Sequence, residues 1–293
     1  MLDLREYKKE ALDRLHGELN SAVQHIKRTK GDHKKKASLV NDAVSAALTQ
    51  IRGELSLLQN ASDRQLKQLT LEYCGCVVSL EYRHSVWPYE YMAFSRRIGE
   101  LWERFCKTCW DQPARDGVHR VDPPQFSEVT HKIRDRLESK LSLLSEVDRK
   151  LISNDIEDLL VLIGEISMKE DEVFVVGNDL TVVDFKSGFG SNEKGNTLRL
   201  LAVAKAYRLY RPTTRLMLLV RQPENNHYLR SLQASNVWEV YCADEAYEKI
   251  HELTGADIQR VRREVIDFEN DLSPALKADL SGQLSDLMSY LRW

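Results

Sequence analysis

No run of apolar residues in this sequence approaches the roughly 20 that a membrane-crossing helix needs, so no helical membrane span is expected. The opening, MLDLREYKKEALDRL, is charged and amphipathic and lacks an apolar signal core, which places the expected location in the cytoplasm. There is no excess charge of one sign: 42 Lys and Arg stand against 45 Asp and Glu, a formal net charge of -3. That balance excludes a uniformly polycationic DNA coater. It leaves room for a local basic face inside a cleft, which is all that phosphate contacts require. Cysteine is sparse and odd in number, five residues, which fits a reduced compartment better than a disulfide framework. No G-x-x-x-x-G-K-[ST] is present, so nucleotide-driven translocation would need another chain. Internal repeats and low-complexity segments are absent.

What is present is the balance of a globular protein, 42% hydrophobic and 30% charged, over 293 residues. From residue 3 to about residue 80 apolar residues recur at helical spacing: Leu4, Leu12, Leu15, Leu19, Val23 and Ile26. Gly31 interrupts this stretch within RTKGDHKKK, which reads as a solvated loop or a phosphate-touching corner. Residues 93–110 are again helical in pattern and end at QPARDGVHRVDPP, which cannot continue a helix. Cys74, Cys76, Cys106 and Cys109 can in principle supply four thiolates to a zinc ion. The second pair, spaced by three on a helical pattern, is expected to pack as small apolar side chains. Residues 126–168 carry two further helical stripes.

At residue 172 the period changes from helical to that of strands. EVFVVGNDLTVVDFKSG contains two β-branched runs joined by Gly177, Asn178 and Asp179, which predicts strands at about 172–177 and 180–186. A helix over 197–210, a strand at 215–221, a helix near 228–233, the strand VWEVYC and a helical remainder follow. The fold class is therefore α/β, a mixed sheet core flanked by helices.

Asp184 and Lys186 are two apart on a strand, so their side chains leave the same face. The hairpin delivers a second acid. A three-residue turn sets Glu172 opposite Asp184, whereas a two-residue turn sets Asp171 opposite Lys186 and diagonal to Asp184. Two carboxylates at a sheet edge suit magnesium, which takes a few carboxylates and keeps several waters.

An acid at the start of one strand and D-x-K on the next resemble the signature of the PD-(D/E)xK nucleases, the restriction-endonuclease-like superfamily. DFKSG is similar to the D-Y-K-T-G element of RecB-type members. Upstream, Gly99 to Arg104 is similar to the G-x-x-x-E-R of archaeal Holliday-junction resolvases, whose glutamate reaches the metal site. The resemblance implies Asp184 as a magnesium ligand, Asp171 or Glu172 as the second, and Glu103 as a further one. It implies that Lys186 positions the attacking water. No proline precedes Asp171 or Glu172, a departure from the family pattern.

On this reading residues 1–85 form a helical arm for dimerisation, a partner protein or DNA. Residues 86–293 form the nuclease domain, with a helical insertion at about 125–168. Lys194, Arg199, Lys205 and Arg208 are candidates to grip the backbone of double-stranded DNA, with the loop GFGSNEKGN at a groove. The expected activity is that of a type II restriction-like endonuclease acting as a homodimer on a two-fold site. The alternatives are a nuclease subunit of a defence or repair assembly and a non-catalytic DNA-binding scaffold.

Overall fold

The computed structural model describes residues 2–189, 194–223, 225–282 and 285–293. It divides into two compact units, residues 1–116 with 247–293, and residues 117–246. The division differs from the one expected at residue 85. The helix after that point groups with the amino-terminal helices, and so do the carboxy-terminal ones.

The first unit begins with helices α1 (Leu4–Arg28), α2 (His33–Leu55), α3 (Ala61–Val86) and α4 (Tyr91–Asp111). Their starts are set by side chains that accept the first free backbone N–H groups: Asp3 for α1, Asp32 for α2 and Asn60 for α3. Helices α1, α2 and α3 pack on one another, and α4 packs on α3. The periodic row Leu4, Leu15, Leu19, Val23 and Ile26 is buried, as helical spacing requires. The Trp102 indole donates to the Tyr247 hydroxyl at 2.7 Å, one tie between α4 and the later helices of this unit.

In the second unit the chain runs β1 (Val118–Arg120), α5 (Phe126–Leu141), α6 (Glu146–Ile163), β2 (Glu172–Val176), β3 (Asp179–Lys186), α7 (Lys194–Tyr210), β4 (Arg215–Val220), α8 (His227–Ala234) and β5 (Glu239–Cys242). Helices α9 (Asp244–Thr254), α10 (Ile258–Glu264), α11 (Phe268–Asp271) and α12 (Pro274–Leu280) follow. The five strands make one mixed sheet in chain order, with β1, β2 and β3 antiparallel and β3, β4 and β5 parallel. The protein is thus α/β, and no helix among the described residues is long and apolar enough to cross a membrane.

The ladder determines which side chains share a face. Val173, Val182 and Leu216 stand in register across β2, β3 and β4, and with Leu218, two residues further on the same face, they form one core with Leu200, Val203, Ala204 and Tyr207 of α7. Asp184 and Lys186 continue that row beyond Val182. The sheet therefore delivers both to the side on which α7 lies.

One expectation about this unit is corrected. Strand β1 lies within the stretch read as a loop, because three residues are too few to show alternation and their strand state comes from pairing with β2. The segment expected as an insertion contributes to the core: Val129 of α5 is fully buried and α5 packs on α7. Only α6 stands apart, with no buried residue and an exposed ion pair from Arg134 of α5 to its Glu157 at 2.7 Å.

Candidate active site

The hairpin joining β2 and β3 turns through Gly177 and Asn178, with Val176 paired to Asp179. Gly177 takes a φ of +61°, the conformation that a two-residue turn with glycine in its first central position demands. This register is neither of the two expected. It sets Glu172 opposite Val183, which turns the Glu172 side chain to the face away from Asp184. There Arg120 holds it with two bonds of 2.6 Å, from Nε to Oε2 and from Nη2 to Oε1. Glu172 is therefore not the acid beside Asp184. Extending the register by one residue brings Asp171 across from Asp184, and the Asp171 Oδ2 accepts the Phe185 N–H at 2.7 Å.

The carboxylate that meets Asp184 belongs to Glu170. The chain bends at Asp171, ahead of the first ladder pair, and the bend takes Glu170 out of the alternation of β2. Its position is held from behind: the fully buried Tyr207 hydroxyl donates to the Met168 carbonyl at 2.6 Å, two residues earlier. Tyr207→Phe is expected to leave that carbonyl unpaired and lower stability by about 1 kcal/mol. A shifted denaturation midpoint at unchanged slope is the signature to look for.

Four side chains form the cluster. Arg199, in the second turn of α7, donates from Nη1 to Glu170 Oε1 at 2.6 Å and from Nη2 to Glu170 Oε2 at 3.3 Å. The same Nη2 reaches Asp184 Oδ2 at 3.0 Å. The Lys186 ammonium pairs with the other Asp184 oxygen, Oδ1. The side chains of Glu170 and Asp184 are 0% and 3% exposed, against 19% for Lys186 and 40% for Arg199, so the acids lie at the bottom and the cations at the rim.

Electrostatics separates the two acids. Burial, reinforced by the hydrogen bond and charge of Asp184, pushes the Glu170 carboxyl up to about 8 from an ordinary 4.5, against the pull of Arg199. Burial acts on Asp184 in the same sense. There the hydrogen bond from Glu170, with Lys186 and Arg199, outweighs it and holds the group below the usual carboxylate range. One acid thus retains a proton near neutrality while its neighbour is ionised, the signature of two carboxyls sharing one place.

A cleft of about 560 Å³ opens at the start of β2, lined by Arg120, Lys169, Glu170, Asp171 and Glu172; Asp184, Lys186 and Arg199 are not among its lining residues. Among the described residues no group of three His, Cys, Asp or Glu side chains is arranged to hold a metal ion. Two carboxylates would leave most of the shell of a hard divalent cation to water and substrate oxygens.

The remaining candidates fall elsewhere. Lys194, Lys205 and Arg208 recur at helical spacing on the exposed side of α7, and Arg208 also donates to the Val237 carbonyl at 3.1 Å. Arg199 is off that stripe, in the cluster. Glu103 belongs to the helical unit, where it accepts from Lys107 at 2.7 Å. Of the loop GFGSNEKGN, residues 190–193 lie outside the described residues. Cys74, Cys76, Cys106 and Cys109 are buried, and burial pushes the thiols of Cys74 and Cys76 upward, against thiolate formation.

Glu170 was missed because sequence reasoning extends strand alternation backwards, and alternation ends at the bend. The signal available was the run Glu170, Asp171, Glu172, three acids of which any one can face the site. No protein-family model, curated protein or solved structure matches this chain.

Proposed function

We propose that this protein is a magnesium-dependent DNA endonuclease of the PD-(D/E)xK kind, with Glu170, Asp184 and Lys186 as its motif. The observation that carries the reading is the convergence of two buried carboxylates, from the entry and the far end of one hairpin, with a lysine two residues beyond the second. A polar cluster of this kind has no role in a plain core, where charge is costly to bury. The antiparallel hairpin followed by a helix and a parallel strand supports the same reading, since the resemblance implies a mixed sheet flanked by helices.

On this reading Glu170 and Asp184 would hold magnesium, and the chemistry it would supply is neutralisation of phosphoryl charge and a lowered pKa for water. Lys186, fixed on the Asp184 carboxylate, orients the attacking water and adds a positive charge in a poorly solvated place, where it acts more strongly than in bulk water. Lys194, Lys205 and Arg208 follow the phosphate backbone along the exposed side of α7. The substrate is double-stranded DNA, and a homodimer would offer one site to each strand.

Incubation of the pure protein with plasmid and phage DNA, with and without magnesium, tests the proposal. Discrete fragments indicate a sequence-specific enzyme and a smear a nonspecific one. No cleavage under any magnesium or manganese condition would remove the support for an autonomous nuclease.

A further inference from the structure

Arg199 makes the contacts that a divalent cation in this site would make. Its fork touches both Glu170 oxygens and Asp184 Oδ2, and so bridges the two acids. With Lys186 it sets two positive charges against two carboxyl groups, and buried carboxylates without such partners would be strongly destabilising. Each carboxylate oxygen has a second lone pair, but a metal ion bound to the same oxygens repels the guanidinium and draws the carboxylate charge to itself, so the two compete. Arg199 is also the most exposed member of the cluster, at 40% against 0% for Glu170, so its side chain has a path outward that the acids lack. A further bond from its Nε to Asn196 Oδ1, at 3.4 Å, is long and weak. The guanidinium fork fits a phosphate as well as it fits a carboxylate.

We infer that Arg199 has two positions, bridging Glu170 and Asp184 while no divalent cation is bound, and holding a phosphate of the DNA backbone once a cation takes both carboxylates. The inference rests on reading the site as a metal-dependent nuclease. It adds a coupling that this reading does not require: metal entry releases the residue that grips the substrate, so each ligand strengthens the binding of the other. Arg199 thereby moves from competing with the metal to positioning the substrate.

The test uses the full-length protein, calorimetric titration with Mn2+, and anisotropy of a short fluorescent DNA duplex with Ca2+ or with a chelator. In the wild type, Ca2+ is expected to raise duplex affinity. Arg199→Gln should bind Mn2+ about tenfold more tightly, because the competitor is gone. It should also lose most of the Ca2+-dependent gain in duplex affinity, and its salt dependence should shrink by about one phosphate contact. Arg199→Lys, which keeps the charge without the fork, should retain the salt dependence and bind duplex less well than the wild type. It carries the test if the glutamine variant does not fold, as judged by circular dichroism. Wild-type Mn2+ binding with unchanged Mn2+ affinity, or an unchanged Ca2+-dependent gain, in the variants overturns the two-position inference alone. Absence of Mn2+ binding in wild type and variants alike overturns the metal site itself.

Discussion

Asp184→Asn is expected to reduce magnesium-dependent DNA cleavage by a factor on the order of 10³ or more while leaving the fold in place. Asp184 is the ionised member of the acid pair, held below the usual carboxylate range, and it is the residue on which Lys186 is fixed. Amide substitution preserves the shape but removes the charge that holds a cation, and it releases Lys186 at the same time. The comparison is with Glu172→Gln. Glu172 is bound by Arg120 on the other face of the sheet, so this variant should lose stability but keep its rate per folded molecule. Plasmid cleavage rates beside thermal melts of both proteins decide the matter. Cleavage by Asp184→Asn at the wild-type rate would end the assignment.

Glu170→Gln should also cut activity sharply, by about 10²-fold or more, because it removes the second oxygen ligand. It should in addition change how stability depends on pH. In the metal-free protein the Glu170 carboxyl is raised to about 8, so the folded state binds this proton more tightly than the unfolded chain, whose glutamate titrates near 4.5. The sign follows from linkage. The stabilisation is complete below about 4.5 and is lost as pH rises through about 8. The melting temperature of chelator-treated wild type is therefore expected to fall across that window. In Glu170→Gln this component is absent and the profile is flatter. Added magnesium should raise the wild-type melting temperature most at the alkaline end, where both acids are ionised and free to hold it. Identical profiles for the two proteins would mean that Glu170 is not the proton-holding acid.

The sequence by itself determined a good deal of this protein, and for local reasons. The helical rows of α1 lie three and four residues apart, so their burial was legible before any contact was known. The β2–β3 hairpin was legible from two β-branched runs around a glycine. Asp184 and Lys186, two apart on β3, had to share a face whatever the rest of the chain did. Tertiary structure decided the matters that depend on relative position. The hairpin register turns on a single residue of turn placement, and a shift of one residue exchanges faces; hence the roles of Asp171, Glu172 and Glu170 were not readable. Arg199 reads as one more basic residue on a helix, and only the packing of α7 on the sheet brings it onto the acids. Strand β1 exists through its partner, and α5 joins the core through Val129, although its pattern is that of a surface helix. Side-chain periodicity is a property of neighbours along the chain, whereas the encounter of Glu170 with Asp184 requires a bend and a long-range contact that no local pattern encodes.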